Sequence, residues 1–226
     1  MKTMHTVIFD LDGTLIDHFK LIARSVNHAE NALGLQASGF ERVKGAVGGG
    51  YKLTLERLFG SEQAKQADPL FLDYFNQHLL EDIHVLPGAY WLLETLHKEG
   101  RQLAVLTNKG GPQARQLLEH LKMDKWFVKI LGAGDTPYRK PQPEFMGSLL
   151  EYLDTKAKDC LMIGDSPFDF EAAEAVNMPT CLLSTGSHTK EELSKQTNAC
   201  VYKDLYALAD LYFNLQPSVK EKDPHD

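Results

Sequence analysis

Apolar and polar positions follow two different regimes along this chain. From about residue 87 onward, short apolar runs and helical stripes take turns. Gly88 to Gly100 carries Leu92, Leu93 and Leu96 at helical spacing and closes on a glycine; Gln102-Leu103-Ala104-Val105-Leu106 then predicts a buried strand. Thr107-Asn108 ends that strand. A helix is predicted from Pro112 with Leu117, Leu118 and Leu121 on one face, then a strand around Trp126 to Leu131, then a helix entered at Pro143. Cys160 to Gly164 predicts the next strand, and Ala172, Ala173 and Ala175 mark a helix behind it. Thr180 to Leu183 and Ala199 to Tyr202 supply two more strands, and Met4 to Phe9 a first one at the start of the chain. Short buried strands alternating with helices predict an α/β fold, a doubly wound parallel sheet with helices on both faces.

Residues 16 to 85 read differently, with helical stripes and no convincing strand. Phe19 to Leu33 places Leu21, Ile22, Val26, Ala29 and Leu33 on one stripe ended by Gly34. Leu53 to Phe59 predicts a shorter helix ended by Gly60, and Leu70 to Leu80 repeats the stripe with Phe71, Tyr74, Phe75 and Leu79. We therefore expect a Rossmann-like core from residues 1–15 and 86–226, and an all-helical cap domain from residues 16–85. Its joints are expected near Asp17 to Phe19 and Ile83 to Pro87. Inside it, the glycines of Gly45-Ala46-Val47-Gly48-Gly49-Gly50 argue against helix, and the tract reads as a substrate-facing loop or as a flexible turn. It is neither a dinucleotide fingerprint nor a P-loop, because no strand precedes it and no Gly-Lys-Ser/Thr follows. The polar tail from Gln216 to Asp226 is expected to be disordered.

Composition narrows the function classes. The 226 residues are 43% hydrophobic, enough for a sizeable core. No run approaches the roughly 18 apolar residues of a membrane helix, and no basic-then-apolar leader opens the sequence, so a cytoplasmic protein without a membrane partner is expected. Cys160, Cys181 and Cys200 lie far apart among apolar or β-branched neighbours, which suits buried free thiols rather than a zinc site. A formal net charge of −7 without a lysine-arginine cluster argues against a nucleic-acid partner.

Candidate chemistry sits at the strand ends. Asp10-Leu11-Asp12-Gly13-Thr14 follows the first strand, Thr107-Asn108 the second, and Gly164-Asp165-Ser166 with Asp169 the strand at Cys160. Lys140, in Arg139-Lys140-Pro141, precedes a helix between them. Each alone also fits a structural role: an Asp-Gly turn, a helix cap, a solvated lysine, an acidic helix start. In a doubly wound sheet, however, the carboxyl ends converge on one crevice, where ligands bind.

Together these motifs resemble those of the haloacid dehalogenase superfamily, and within it the phosphatases similar to phosphoglycolate phosphatase. The resemblance covers nearly the whole chain. It implies that Asp10 is the nucleophile, Asp12 the general acid and base, and Lys140 the balancing cation. It implies phosphoryl contacts from Thr107, with Asn108 beside it, and Mg²⁺ held by Asp10, Asp12 through its carbonyl, and Asp165. Asp169 is expected to orient Lys140 or a metal-bound water. The implied partner is a small phosphorylated metabolite. The physical sense is that a carboxylate can attack a dianionic ester only where cations offset the repulsion. Arg42, Lys44, the glycine tract, Tyr51 and Lys52 are the cap residues expected to read the organic part. Gly110-Gly111-Pro112 stands where relatives often place proline directly after Thr-Asn-Lys, and Val176-Asn177 where they commonly have Ala-Gly; Asn177 can still take a left-handed cap. A phosphomutase similar to β-phosphoglucomutase, an inorganic pyrophosphatase and a non-enzymatic receiver domain remain alternatives.

Overall fold

In the computed structural model, which describes residues 4–217, a six-stranded parallel sheet forms the centre of the molecule. The expected disorder of the tail falls, beyond Pro217, outside the described residues. The sheet strands are β1 (Thr6–Phe9), β4 (Gln102–Gly110), β5 (Phe127–Ala133), β6 (Cys160–Gly164), β7 (Thr180–Leu183) and β8 (Cys200–Tyr202), in the order β5-β4-β1-β6-β7-β8. The chain winds outward from β1 on one side through β4 and β5, then returns to the other side at β6. The crevice beyond β1, β4 and β6 is thus the topological switch point.

Both sheet faces are buried, which explains why the strands read as continuous apolar runs. Val7 and Phe9 point to one face with Leu103, Val105, Leu161 and Ile163, covered by helices α4 (Ala89–Lys98), α5 (Gly111–His120) and α9 (Leu205–Leu208). Ile8 points to the other with Ala104, Leu106 and Met162, covered by α6 (Pro143–Tyr152) and α7 (Pro167–Glu174). A one-residue slip would turn each strand's two sets of side chains over, so register is well specified.

Between β1 and α4 lie three helices, α1 (Phe19–Ala32), α2 (Phe40–Ala46) and α3 (Tyr51–Gln77). The last is broken at Gly60, whose φ of 73° and ψ of 164° are not helical, so the segment before it ends where the sequence predicted. Three expectations need correction. First, Ile16–Asp17 (β2) and His84–Val85 (β3) pair as an antiparallel ribbon at the root of the insertion, where no strand was expected. Strands of this length leave no periodicity to read. Second, α2 runs through Gly45 and Ala46, because Gly45 meets nothing and costs only its propensity of about 1 kcal/mol. Third, Cys200 is exposed on the edge strand β8 and is the register partner of Cys181 on β7, so the thiols are neither all buried nor all far apart. Asn177 does take a positive φ, 55°, after α7.

Candidate active site

Asp10 follows β1, where its amide donates to the Ile163 carbonyl at 2.9 Å and fixes it beside the end of β6. The chain then turns at Gly13, whose φ of +83° and closeness to Asp165 Oδ2, 2.5 Å from where a Cβ would sit, both require glycine. Lys140 is nearly inaccessible, at 1%, and its Nζ lies 3.0 Å from Asp10 Oδ1 and 2.6 Å from Asp169 Oδ1. The other oxygen of Asp169 accepts from Asp165 N (3.2 Å), Ser166 N (3.0 Å) and Ser166 Oγ (2.6 Å). Asp169 thereby ties the lysine to the start of α7. Asn108 holds the same lysine by its backbone: its Oδ1 accepts from Lys140 N at 2.8 Å, and its Nδ2 donates to Lys140 O at 3.0 Å and to Gly48 O at 3.2 Å.

Carboxylate oxygens of Asp10, Asp165 and Asp169 lie within 4.8 Å of one another, all buried. Lys140 alone does not balance three carboxylates. Burial, against the pull of Lys140, pushes the Asp10 carboxyl up to about 6. Burial, then Asp169 and Asp10, push Asp165 well above the usual carboxylate range. For Lys140, burial works downward, but Asp10 and Asp169 outweigh it and hold the ammonium charged. Asp10 Oδ1 has no hydrogen-bond donor despite its distance to Lys140. A buried, unsatisfied carboxylate oxygen in a negatively charged cluster suits a divalent, oxygen-seeking cation.

Asp12 faces elsewhere, with Lys109 Nζ 3.0 Å from its Oδ1 and 2.9 Å from its Oδ2. Lys109 reaches it through an irregularity in β4: Thr107 pairs with Gly132 and Gly110 with Ala133, leaving Asn108 and Lys109 outside the ladder. The strand therefore does not stop at Asn108, as the sequence suggested, but bulges there and re-aims two side chains into the site. Thr107 is buried and its Oγ1 accepts from Lys109 N at 3.2 Å, which leaves the hydroxyl proton free to donate.

Asp10, Asp12, Thr107, Asn108 and Asp165 all line one cavity, under a wall supplied by the helical insertion. Lys140 and Asp169 lie beneath it. From the insertion, Val47, Gly48, Gly50 and Tyr51 reach the cavity, so the glycine tract does face the site. Arg42 instead donates to Leu58 O, Lys44 lies over the Phe19 ring, and Lys52 pairs with Asp68. Lys109, Phe71 and Phe75 also line the cavity, which the sequence does not mark directly. The lysine's place beside Thr107-Asn108 was the only sequence signal, and the two phenylalanines read simply as helix stripe.

A family model described as haloacid dehalogenase-like hydrolase matches residues 7–183. A phosphoglycolate phosphatase from Pseudomonas fluorescens is 33% identical over 211 residues, covering 89% of this chain and 77% of its own length. Another from Vibrio parahaemolyticus is 31% identical over 215 residues, 91% of this chain and 94% of its own. Among solved structures, a predicted phosphoglycolate phosphatase from Haemophilus somnus 129pt is similar with a TM-score of 0.86 at 25% identity, over 96% of this chain and 100% of that one.

Proposed function

The chain belongs to the haloacid dehalogenase-like hydrolases, and from its site we propose that it hydrolyses a small phosphate monoester, in the size range of phosphoglycolate, through an aspartyl-phosphate on Asp10. The observation that carries this reading is the buried Asp10, Asp165 and Asp169 cluster with Lys140, beneath a cavity at the carboxyl edge of the sheet.

A carboxylate oxygen of Asp10 attacks phosphorus; a P–O bond to Asp10 forms, the ester P–O bond breaks, and Asp12 gives its proton to the departing alcohol oxygen. Asp12 then takes a proton from water as its oxygen attacks the acyl phosphate, releasing inorganic phosphate and regenerating Asp10. Thr107 donates to a phosphoryl oxygen, and Lys140 offsets charge near the nucleophile. Asn108 and Asp169 position Lys140. Mg²⁺, held by Asp10, Asp165 and the Asp12 carbonyl, would screen the phosphoryl charge. Residues 16–85 act as a cap that excludes water and reads the alcohol part.

Phosphate release from a panel of small phosphate esters with Mg²⁺, beside Asp10→Asn, tests the reading. Release by the wild type, acid-quench trapping of a phosphorylated Asp10, and loss of both in the variant are expected. Full activity of Asp10→Asn would overturn the mechanism. Interconversion of sugar phosphates without free phosphate would mark a mutase instead.

A further inference from the structure

The cavity above Asp10 has two unlike walls. The core side carries the acids, Thr107, Asn108 and Lys109, whereas the insertion side carries Ile22, Val47, Tyr51, Phe71, Leu72 and Phe75. Tyr51, Phe71 and Phe75 form a row of nearly parallel rings, with centroids 5.5 and 5.6 Å apart and planes 2° and 11° from parallel. The polar side chains on that wall are already committed. Thr54 Oγ1 lies 3.3 Å from Ala46 O and 3.2 Å from Gly50 O, and burial, then Asp68, push the Tyr51 hydroxyl up to about 12.

Among the described residues, Lys109 is the cation that lines the cavity. Both oxygens of Asp12 engage its ammonium, which also lies 4.9 Å over the face of Phe75. Several other cations of the insertion are engaged elsewhere: Arg24 with Glu81 and Asp82, Arg42 with Leu58 O, Lys44 over the Phe19 ring, Arg57 with Ala46 O, Lys52 with Asp68, and Lys65 with Glu62. Lys52 and Arg139 line an adjoining cleft that shares Gly50, Tyr51 and Leu72 with this wall, but within the cavity itself a second anionic group on a bound ester would lose its water against rings and aliphatic side chains. An apolar or aromatic group would instead exchange water for ring and aliphatic contacts.

We propose that the substrate of this site is a phosphate monoester whose alcohol part is apolar or aromatic and carries no second anionic group. This rests on the phosphatase reading above and turns it away from phosphoglycolate itself, whose carboxylate would meet the ring row.

Three esters of primary alcohols, methyl phosphate, benzyl phosphate and phosphoglycolate, separate the possibilities when kcat/KM is measured on the full chain with Mg²⁺. Benzyl phosphate is expected to exceed phosphoglycolate by roughly 10²-fold, the scale on which a pocket rejects a poorly matched group. In Tyr51→Ala the ratio of benzyl to methyl phosphate should fall about tenfold or more. In Leu72→Lys, which places a cation on the apolar wall, the ratio of phosphoglycolate to benzyl phosphate should rise by a similar factor. A wild-type enzyme that prefers phosphoglycolate over benzyl phosphate overturns the proposal and leaves the phosphatase reading standing. Release of phosphate from none of the three overturns this proposal, and inactivity on the wider ester panel as well removes the phosphatase reading itself.

Discussion

Asn108 lines the cavity and also braces the buried lysine beside it. Its amide pairs with both backbone polar groups of Lys140, at 2.8 and 3.0 Å, so the lysine's ammonium is aimed from its backbone as well as by Asp169. In Asn108→Ala we expect kcat to fall roughly 10- to 100-fold with little change in KM, as for supporting groups that orient a charged residue; steady-state kinetics checks the split. Gly186 works from the opposite side. A Cβ there would run into the carboxyl group of Asp165, so Gly186→Ala should displace that acid and abolish any Mg²⁺-dependent rise in melting temperature. Asp10, Asp12 and Asp165 stand out in the sequence because they follow apolar strands, and Lys140 because it precedes a helix, and the structure brings Asp10, Lys140 and Asp165 together. The clamp on Lys140 does not stand out, since hydrogen bonds between residues 32 apart leave no local pattern.

Strands and helices of the core were legible because burial on both sheet faces writes long apolar runs, and glycines and prolines punctuate them. The β2–β3 ribbon was not, because two paired residues per strand are too few to show alternation. Gly60 carries a reading that runs against habit. Glycine to alanine inside a helical stretch usually stabilises, and a Cβ at Gly60 would meet nothing within 4 Å. Yet its φ of 73° and ψ of 164° belong to a region reserved for glycine. Gly60→Ala is therefore expected to cost about 1–3 kcal/mol from backbone strain alone, seen as a lower urea midpoint with an unchanged slope.

Across the whole molecule, two charge imbalances should be visible in stability. The acid cluster has one lysine against three carboxyl groups, so Mg²⁺ at about 100 times its dissociation constant should add about 2.7 kcal/mol, read as a melting shift that Asp165→Asn removes. His18 sits at the root of the insertion, inaccessible, with its Nε2 3.0 Å from the Glu81 carbonyl and its Nδ1 without a partner. Burial, then the charge of Lys109, pull it from 6.5 down to about 4, against Asp12, Asp17 and the Glu81 carbonyl. The folded chain thus refuses a proton that the unfolded chain accepts. Stability that is complete above about 6.5 is lost as pH falls toward 4, by at most about 3 kcal/mol. Urea denaturation at pH 7 and pH 5 should show His18→Gln losing about 2 kcal/mol less than the wild type over that interval.

The bulge in β4 has a meaning for anyone redesigning this chain. A procedure that rewards regular strands would delete Asn108 and Lys109, straighten the ladder from Thr107 to Gly110, and score the result as an improvement. The product would keep Asp10, Asp12, Lys140 and Asp165 in its sequence. It would nevertheless have discarded the two side chains that tell Lys140 and Asp12 where to stand.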